Sequence, residues 1–193
     1  MSAFVVHLMR HGAPVTPGLM LGHSDAPITP AGIAACVAQA GALSFQAIVS
    51  SDLQRAAVAA DAIGARRGIA GTRDARWREL DFGVWDGLAP DVVDRAAIGA
   101  FWDDPDANPP PGGERWSALV ARVGAALEAL PARDTLIVTH GGAIRAAMAH
   151  LFGFGQRQIW AFDLPYAAVA TLRVWPGSPP GLAASAQIVG LST

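Results

Sequence analysis

An α/β fold, a three-layer sandwich with a mostly parallel central sheet flanked by helices, follows from three observations in this 193-residue chain. Apolar runs of strand length stand at 3–9, 46–50 and 134–139, helix-patterned stretches separate them, and the first and last runs each end near a histidine followed by glycine. Strands that alternate with helices build layered sheets. In such sheets ligands gather at the carboxyl ends of the strands, near a switch point. His11 and His140 are thereby expected to face each other across one crevice.

Each element has its own signal. The run 3–9 is short, rich in branched apolar residues and stopped by Gly12, Pro14 and Pro17, which favours a strand over a helix. Thr29-Pro30 reads as an N-cap and a first-turn proline opening a helix that extends to Leu43. A strand at 46–50 and a helix at 52–66 follow. Gly83 and Gly87 mark 77–88 as a loop, 91–100 is weakly helical, and 105–113 is a proline-glycine loop ahead of an amphipathic helix at 114–130. After the strand at 134–139 come a helix at 143–152, late strands at 166–174 and 184–189, and a turn around Ser178 between them. No repeat, charge block or linker divides the chain. It is read as one domain, 1–193, in which 77–116 forms a lid or substrate-specificity region and the 105–113 loop acts as a lid rather than a boundary.

Composition narrows the chemistry. A hydrophobic content of 52% in this length supports one well-buried core. The net charge is −2, and the fourteen basic residues are dispersed, which argues against nucleic acid and anionic membrane surfaces. All fourteen are arginines. The absence of lysine removes a Walker-type phosphate loop and a lysine Schiff base, so any phosphate must be held by arginine. The lone Cys36 has no disulfide partner within the chain and no arginine at cysteine-phosphatase spacing, and reads as core. The first apolar run lacks a basic leader and runs directly into Arg10-His11, and no segment reaches the ~18 apolar residues of a membrane span. A cytoplasmic protein acting on a small soluble ligand is expected, with no nucleic acid and no membrane partner; a homodimer stays open beside a monomer.

Five histidines raise a metal site. His7 and His11 would chelate together on a helix, but on a strand their Cα atoms stand about 13 Å apart at ~3.3 Å per residue, too far to share one ion. No metal and no cofactor is expected. His7 reads as a core or supporting residue, and His23 and His150 as solvent or capping residues. Serine hydrolysis lacks its Gly-x-Ser-x-Gly elbow. Arg55, just past the second strand, points to the same edge as Arg10 and the two histidines; alone it would read as a solvated helix residue, and the constellation gives it weight.

Four segments, Leu8-Met9-Arg10-His11-Gly12, Ser50-Ser51-Asp52-Leu53-Gln54-Arg55-Ala56, the stretch from Arg78-Glu79-Leu80-Asp81 to Gly87, and Val138-Thr139-His140-Gly141-Gly142-Ala143-Ile144-Arg145, resemble the histidine phosphatase superfamily, which includes the cofactor-dependent phosphoglycerate mutases. The resemblance implies a phosphoglycerate mutase-like fold, His11 as the nucleophile that takes the phosphoryl group, Arg10, Arg55 and His140 as its binders, His140 also as a catalytic group, and Glu79 as the general acid. These roles suit the residue types. Arginine forks donate paired hydrogen bonds to phosphate oxygens, a helix N-terminus offers amides to an anion, and a histidine nucleophile needs one nitrogen free. Asp81 projects to the same face as Glu79 if the segment is extended, so it stays a competitor that the family motif disfavours.

The separation of 61 positions from Glu79 to His140 is shorter than the mutases carry, which favours hydrolysis of a small-molecule phosphate monoester over mutation. The segments 22–29, 101–105 and 110–114 look most like the alpha-ribazole phosphatase branch of cobalamin synthesis, with broad-specificity sugar-phosphate phosphatases and mutase-like enzymes as alternatives. Trp77, Trp85, Trp102 and Trp116 lie in or beside the segments that would wall the crevice, able to stack a benzimidazole-like base or simply to pack a lid; Trp160 and Trp175 read as core. Ala13-Pro14, Pro17 and Asp52 depart from the family pattern, and Asp52 bears on the approach to Arg55. Outside this class stand an inactive phospho-ligand binding module, opposed by the intact histidines and Glu79, and a metal-dependent hydrolase.

Overall fold

The computed structural model describes residues 2–175 and 185–193. One six-stranded sheet runs in the order β3-β2-β4-β1-β5-β6, from β1 Phe4–Arg10, β2 Ala47–Ser50, β3 Gly71–Arg73, β4 Thr135–Thr139, β5 Val169–Trp175 and β6 Ser185–Ser192. The pairs β3-β2, β2-β4 and β4-β1 are parallel, while β1-β5 and β5-β6 are antiparallel. This is the α/β, mostly parallel sheet that the alternation of elements predicts.

Period-two alternation sorts the strand residues into two cores. Phe4, Val6 and Leu8 of β1 and Ile137 of β4 meet α4 Trp116–Glu128 and α5 Gly141–Phe152 on one face. Met9, Leu136 and Val138 meet α1 Pro30–Gly41 and α2 Gln54–Arg67 on the other. All five residues of β4 are buried, so a strand covered on both faces reads as an unbroken apolar run.

The caps follow their chemistry. The Thr29 side chain accepts from the Gly32 N–H with Pro30 in the first turn, and α2 and α5 end at Gly68 and Gly153 in the left-handed region. A Cβ on Gly12 would collide with the backbone of Gly32, so the glycine after His11 lets the start of α1 pass beside it.

Four elements differ from expectation. β3 is three exposed residues attached to β2 through the backbone, with no apolar alternation to reveal it. α6 Gln156–Trp160 is a five-residue helix with one buried side chain, Ile159, and hence no readable period. The weak helix at 91–100 splits into a 3₁₀ turn, Pro90–Val92, and α3 Arg95–Asp103, because the Asp94 carboxylate caps the N–H groups of Ala96 and Ala97. β5 starts at Val169 rather than at residue 166, after a turn that holds Ala167 at φ 64° and returns its N–H to the His11 carbonyl at 3.1 Å. The turn around Ser178 and the start of the last strand at residue 184 lie outside the described residues.

Candidate active site

Sheet register assembles the centre. Met9 pairs with Val138 and Arg10 with Thr139, so the next residues, His11 and His140, leave two neighbouring strands side by side. The His11 N–H donates to the Thr139 carbonyl at 2.8 Å, and the two imidazoles lie 5.1 Å apart, inclined at 63°. On the other side of β4, Ser50 pairs with Val138 and the Ser51 N–H donates to the same residue's carbonyl. The next turn of chain carries Arg55 to the same edge.

His11 is buried, and its Nδ1 lies 2.7 Å from the Gly12 carbonyl. A carbonyl only accepts, so Nδ1 carries the proton and Nε2 keeps its lone pair. Burial, then Arg55 and Arg10, push the His11 pKa down to about 3. Burial, followed by Arg55, His11 and Arg10, also holds His140 well below the ordinary histidine value, and neither of its ring nitrogens has a partner.

Both arginines are pinned by carbonyls rather than carboxylates. Arg55 is fully buried and gives three of its five N–H donors to the carbonyls of Ser24, Leu21 and Gly22 at 2.7–2.9 Å. Arg10 donates to the Leu164 carbonyl at 2.6 Å and stacks over Tyr166 at 4.3 Å. The Asp86 carboxylate fixes the loop that holds Arg55, accepting from the N–H groups of Gly22, His23 and Ser24 at 2.8–2.9 Å.

Glu79 enters from a loop. Its carboxylate accepts from the Leu80 N–H at 2.9 Å and from the Gly142 N–H at 3.0 Å, in the first turn of α5. Any Cβ on Gly142 would strike that carboxylate, which is a reason for glycine at this position. Arg122 holds the backbone behind it, donating to the carbonyls of Arg76, Arg78 and Glu79 at 2.7–2.9 Å while its fork grips Glu114. Asp81, the competitor, is turned to other work: its carboxylate accepts from the Gly83 N–H at 2.9 Å and lies 3.5 Å from His23 Nδ1.

The five residues singled out in the sequence, Arg10, His11, Arg55, Glu79 and His140, therefore converge. His7 does not join them; it sits between the Thr171 hydroxyl and the Ser44 carbonyl. Among the described residues no group of three or more His, Cys, Asp or Glu side chains has the arrangement of a metal site.

A cavity of about 290 Å3 opens beside Glu79 and Gly142, with Arg10 and Arg145 on its polar side and Phe82, Phe101, Trp102, Trp116 and Trp160 among its walls. Two sequence readings of the tryptophans change here. Trp77 is wholly buried and Trp85 packs edge-on to Phe101 in the core, so neither lines the cavity. Trp160, read as core, is 44% exposed on α6 and lines it.

Sequence reasoning missed the supports. Asp52 accepts both arms of Arg78 at 2.5–2.7 Å, tying the segment before Arg55 to the segment of Glu79. Arg122 and Tyr166 carried no motif, and Arg145 stood inside a quoted motif without being assigned a task.

The family model for the histidine phosphatase superfamily, branch 1, matches residues 6–183. A glucosyl-3-phosphoglycerate phosphatase of Mycolicibacterium vanbaalenii is 34% identical over 170 residues, covering 76% of this chain and 73% of its own. A probable phosphoglycerate mutase of Salmonella choleraesuis is 33% identical over 162 residues, covering 77% and 74%. The solved structure of a mycobacterial glucosyl-3-phosphoglycerate phosphatase superimposes with a TM-score of 0.85 at 28% identity, over 97% of this chain and 98% of that one. Among the described residues no helix is long and apolar enough to cross a membrane. The chain belongs to the histidine phosphatase superfamily and is a phosphatase.

Proposed function

We propose that the chain hydrolyses a small phosphate monoester through a phosphohistidine on His11. One observation carries the reading. Buried polar atoms are normally satisfied, yet the buried unpartnered side-chain atoms of the described residues concentrate here: Arg10 Nε, Arg55 Nε, both His140 nitrogens and Arg145 Nε. Arginine and imidazole nitrogens that converge beside a helix N-terminus suit a tetrahedral oxyanion.

In the first step His11 Nε2 attacks phosphorus and the phosphorus–oxygen ester bond breaks, with Glu79 giving its proton to the leaving oxygen. In the second, water attacks phosphorus, Glu79 takes its proton, the nitrogen–phosphorus bond breaks, and orthophosphate leaves. Arg10, Arg55 and His140 neutralise the charge that spreads over the phosphoryl oxygens in both steps. No metal is given a part.

The segment 77–116 serves as the specificity region, since it supplies Glu79, Phe82, Phe101, Trp102 and Trp116 to the cavity. Among substrates, the curated relative points to glucosyl-3-phosphoglycerate, and the aromatic wall supports a second reading, alpha-ribazole 5′-phosphate in cobalamin synthesis, whose base would lie against Trp102 or Trp116. A cytoplasmic setting belongs to the same reading, supported by the free, buried Cys36.

The test is chemical trapping. Wild-type protein quenched during turnover of radiolabelled substrate should carry an acid-labile phosphoryl group, and His11→Ala should lose both this label and at least about 10³-fold in rate. Turnover near that of wild type in His11→Ala overturns the assignment. A panel of phosphate monoesters ranked by kcat/KM then identifies the substrate.

A further inference from the structure

We infer that Arg145 is a substrate-reading residue: it binds a carboxylate carried by the leaving group a few bonds from the ester oxygen. This rests on the phosphatase reading above and adds to it the class of substrate.

Arg145 is a half-buried cation. One of its terminal nitrogens reaches the Gly141 carbonyl at 3.4 Å and the other the Phe162 carbonyl at 3.1 Å, while Nε is buried without a partner. Among the described residues no carboxylate lies within ion-pair distance of it. Glu79 and Asp163 favour its charge only from farther off, and burial opposes it. Elsewhere in the molecule an arginine at comparable depth is met either by a bidentate carboxylate, as Arg122 is by Glu114, or by short carbonyl bonds, as Arg55 is. A cation held by one ordinary and one long carbonyl bond keeps most of its five donors for something else.

Its place says what that is. The guanidinium stacks on Trp160 at 4.4 Å, which fixes its plane, and both residues line the cavity beside Glu79. Arg10 and Arg145 crowd the same glycine, Gly141, at the start of α5. Arg145 stands one turn farther along that helix, about 6 Å of rise at ~1.5 Å per residue. A phosphoryl group at the helix start leaves Arg145 facing the part of the substrate just beyond the ester oxygen. A planar fork there suits a planar carboxylate, and the apolar walls outside it strengthen the attraction by excluding water.

A matched pair of substrates tests this. 3-Phosphoglycerate and glycerol 3-phosphate differ only in a carboxylate against a hydroxymethyl group at the far carbon. Wild type should favour 3-phosphoglycerate in kcat/KM by at least about tenfold. In Arg145→Met that ratio should collapse toward one, and in Arg145→Lys, which keeps the charge but loses the fork, it should fall to an intermediate value. The ratio is unaffected by the fraction of protein that is folded, so partial instability of a variant does not blur it, and the wild-type preference stands alone should neither variant fold. Wild type that hydrolyses p-nitrophenyl phosphate while treating the pair alike, or while ignoring both, overturns the inference and leaves the phosphatase reading intact. Failure on all three substrates overturns the phosphatase reading instead.

Discussion

At the end of the site proposed to hold the phosphoryl group, Arg10, His11 and His140 leave adjacent parallel strands, and Arg55 follows the next strand over; at the end proposed to hold the leaving group, Phe82, Trp102, Trp116 and Trp160 come from a loop, the ends of two helices and the short α6. Backbone hydrogen bonds across the sheet set positions at the first end. At the second, aromatic edges set them: Phe101 meets Trp102 at 4.7 Å and Trp102 meets Trp160 at 5.2 Å, both edge-on. The strand-end groups are thereby anchored to the central sheet, and the aromatic wall to elements where substitution leaves the sheet untouched.

The largest effects should expose this division as a difference between two kinds of substrate. Arg55→Ala should slow an alkyl phosphate and p-nitrophenyl phosphate alike, by about 10²–10³-fold, because phosphoryl charge must be neutralised whatever leaves. Glu79→Gln should slow the alkyl phosphate by ~10²–10⁴-fold and the p-nitrophenyl ester far less, since that phenolate needs little protonation. Equal losses on both substrates for Glu79→Gln would take the acid role away from it, with Asp81 the next residue to examine.

The division also explains what the sequence made legible. Strand runs ending in Arg10-His11-Gly12 and in His140-Gly141-Gly142 announce both the sheet edge and the neighbouring histidines, because a strand covered on both faces leaves a continuous apolar signature. The supporting contacts leave none. Arg122 reaches the carbonyls behind Glu79 from the middle of α4, Asp52 meets Arg78 across 26 positions, and Asp86 caps the 22–24 loop from more than 60 positions away. No local period encodes such pairs. The cavity wall was half legible for the same reason: Trp102 and Trp116 flank the proline-glycine loop 105–113, whereas Trp160 sits on a helix too short to show its exposed face.

Acid should unfold the molecule through the phosphoryl end. A histidine whose pKa is about 3 in the fold and about 6.5 when unfolded takes up its proton only on unfolding between those values, so its contribution to stability is full above about pH 6.5 and is lost as pH falls toward 3. The slope is about 1.4 kcal/mol per pH unit for each such histidine. His140 adds to it in the same direction, as does buried His7. Chemical denaturation from pH 6.5 to 4 should show stability falling, and His11→Asn should flatten that fall by about one proton's worth. An unchanged slope in His11→Asn would mean that the histidine is charged in the free protein, and would remove the basis for a neutral nucleophile.

The smallest effect sharpens the other end. Trp102 is 40% exposed and meets Phe101 and Trp160 edge-on, so its removal should leave the sheet and the neighbouring histidines in place. Aromatic contacts of this kind are worth about 0.5–1.5 kcal/mol beyond area burial. Trp102→Ala should therefore raise KM for an ester with an aromatic leaving group, alpha-ribazole 5′-phosphate or a naphthyl phosphate, by roughly 2- to 10-fold, and shift KM for glycerol 3-phosphate by less. A change in kcat rather than KM would contradict a wall that only binds, because it would mean that Trp102 positions Glu79 or the phosphoryl group. Equal shifts on both substrates would assign the tryptophan to holding α3 against α6, and the aromatic reading of the cavity would then rest on Trp116 alone.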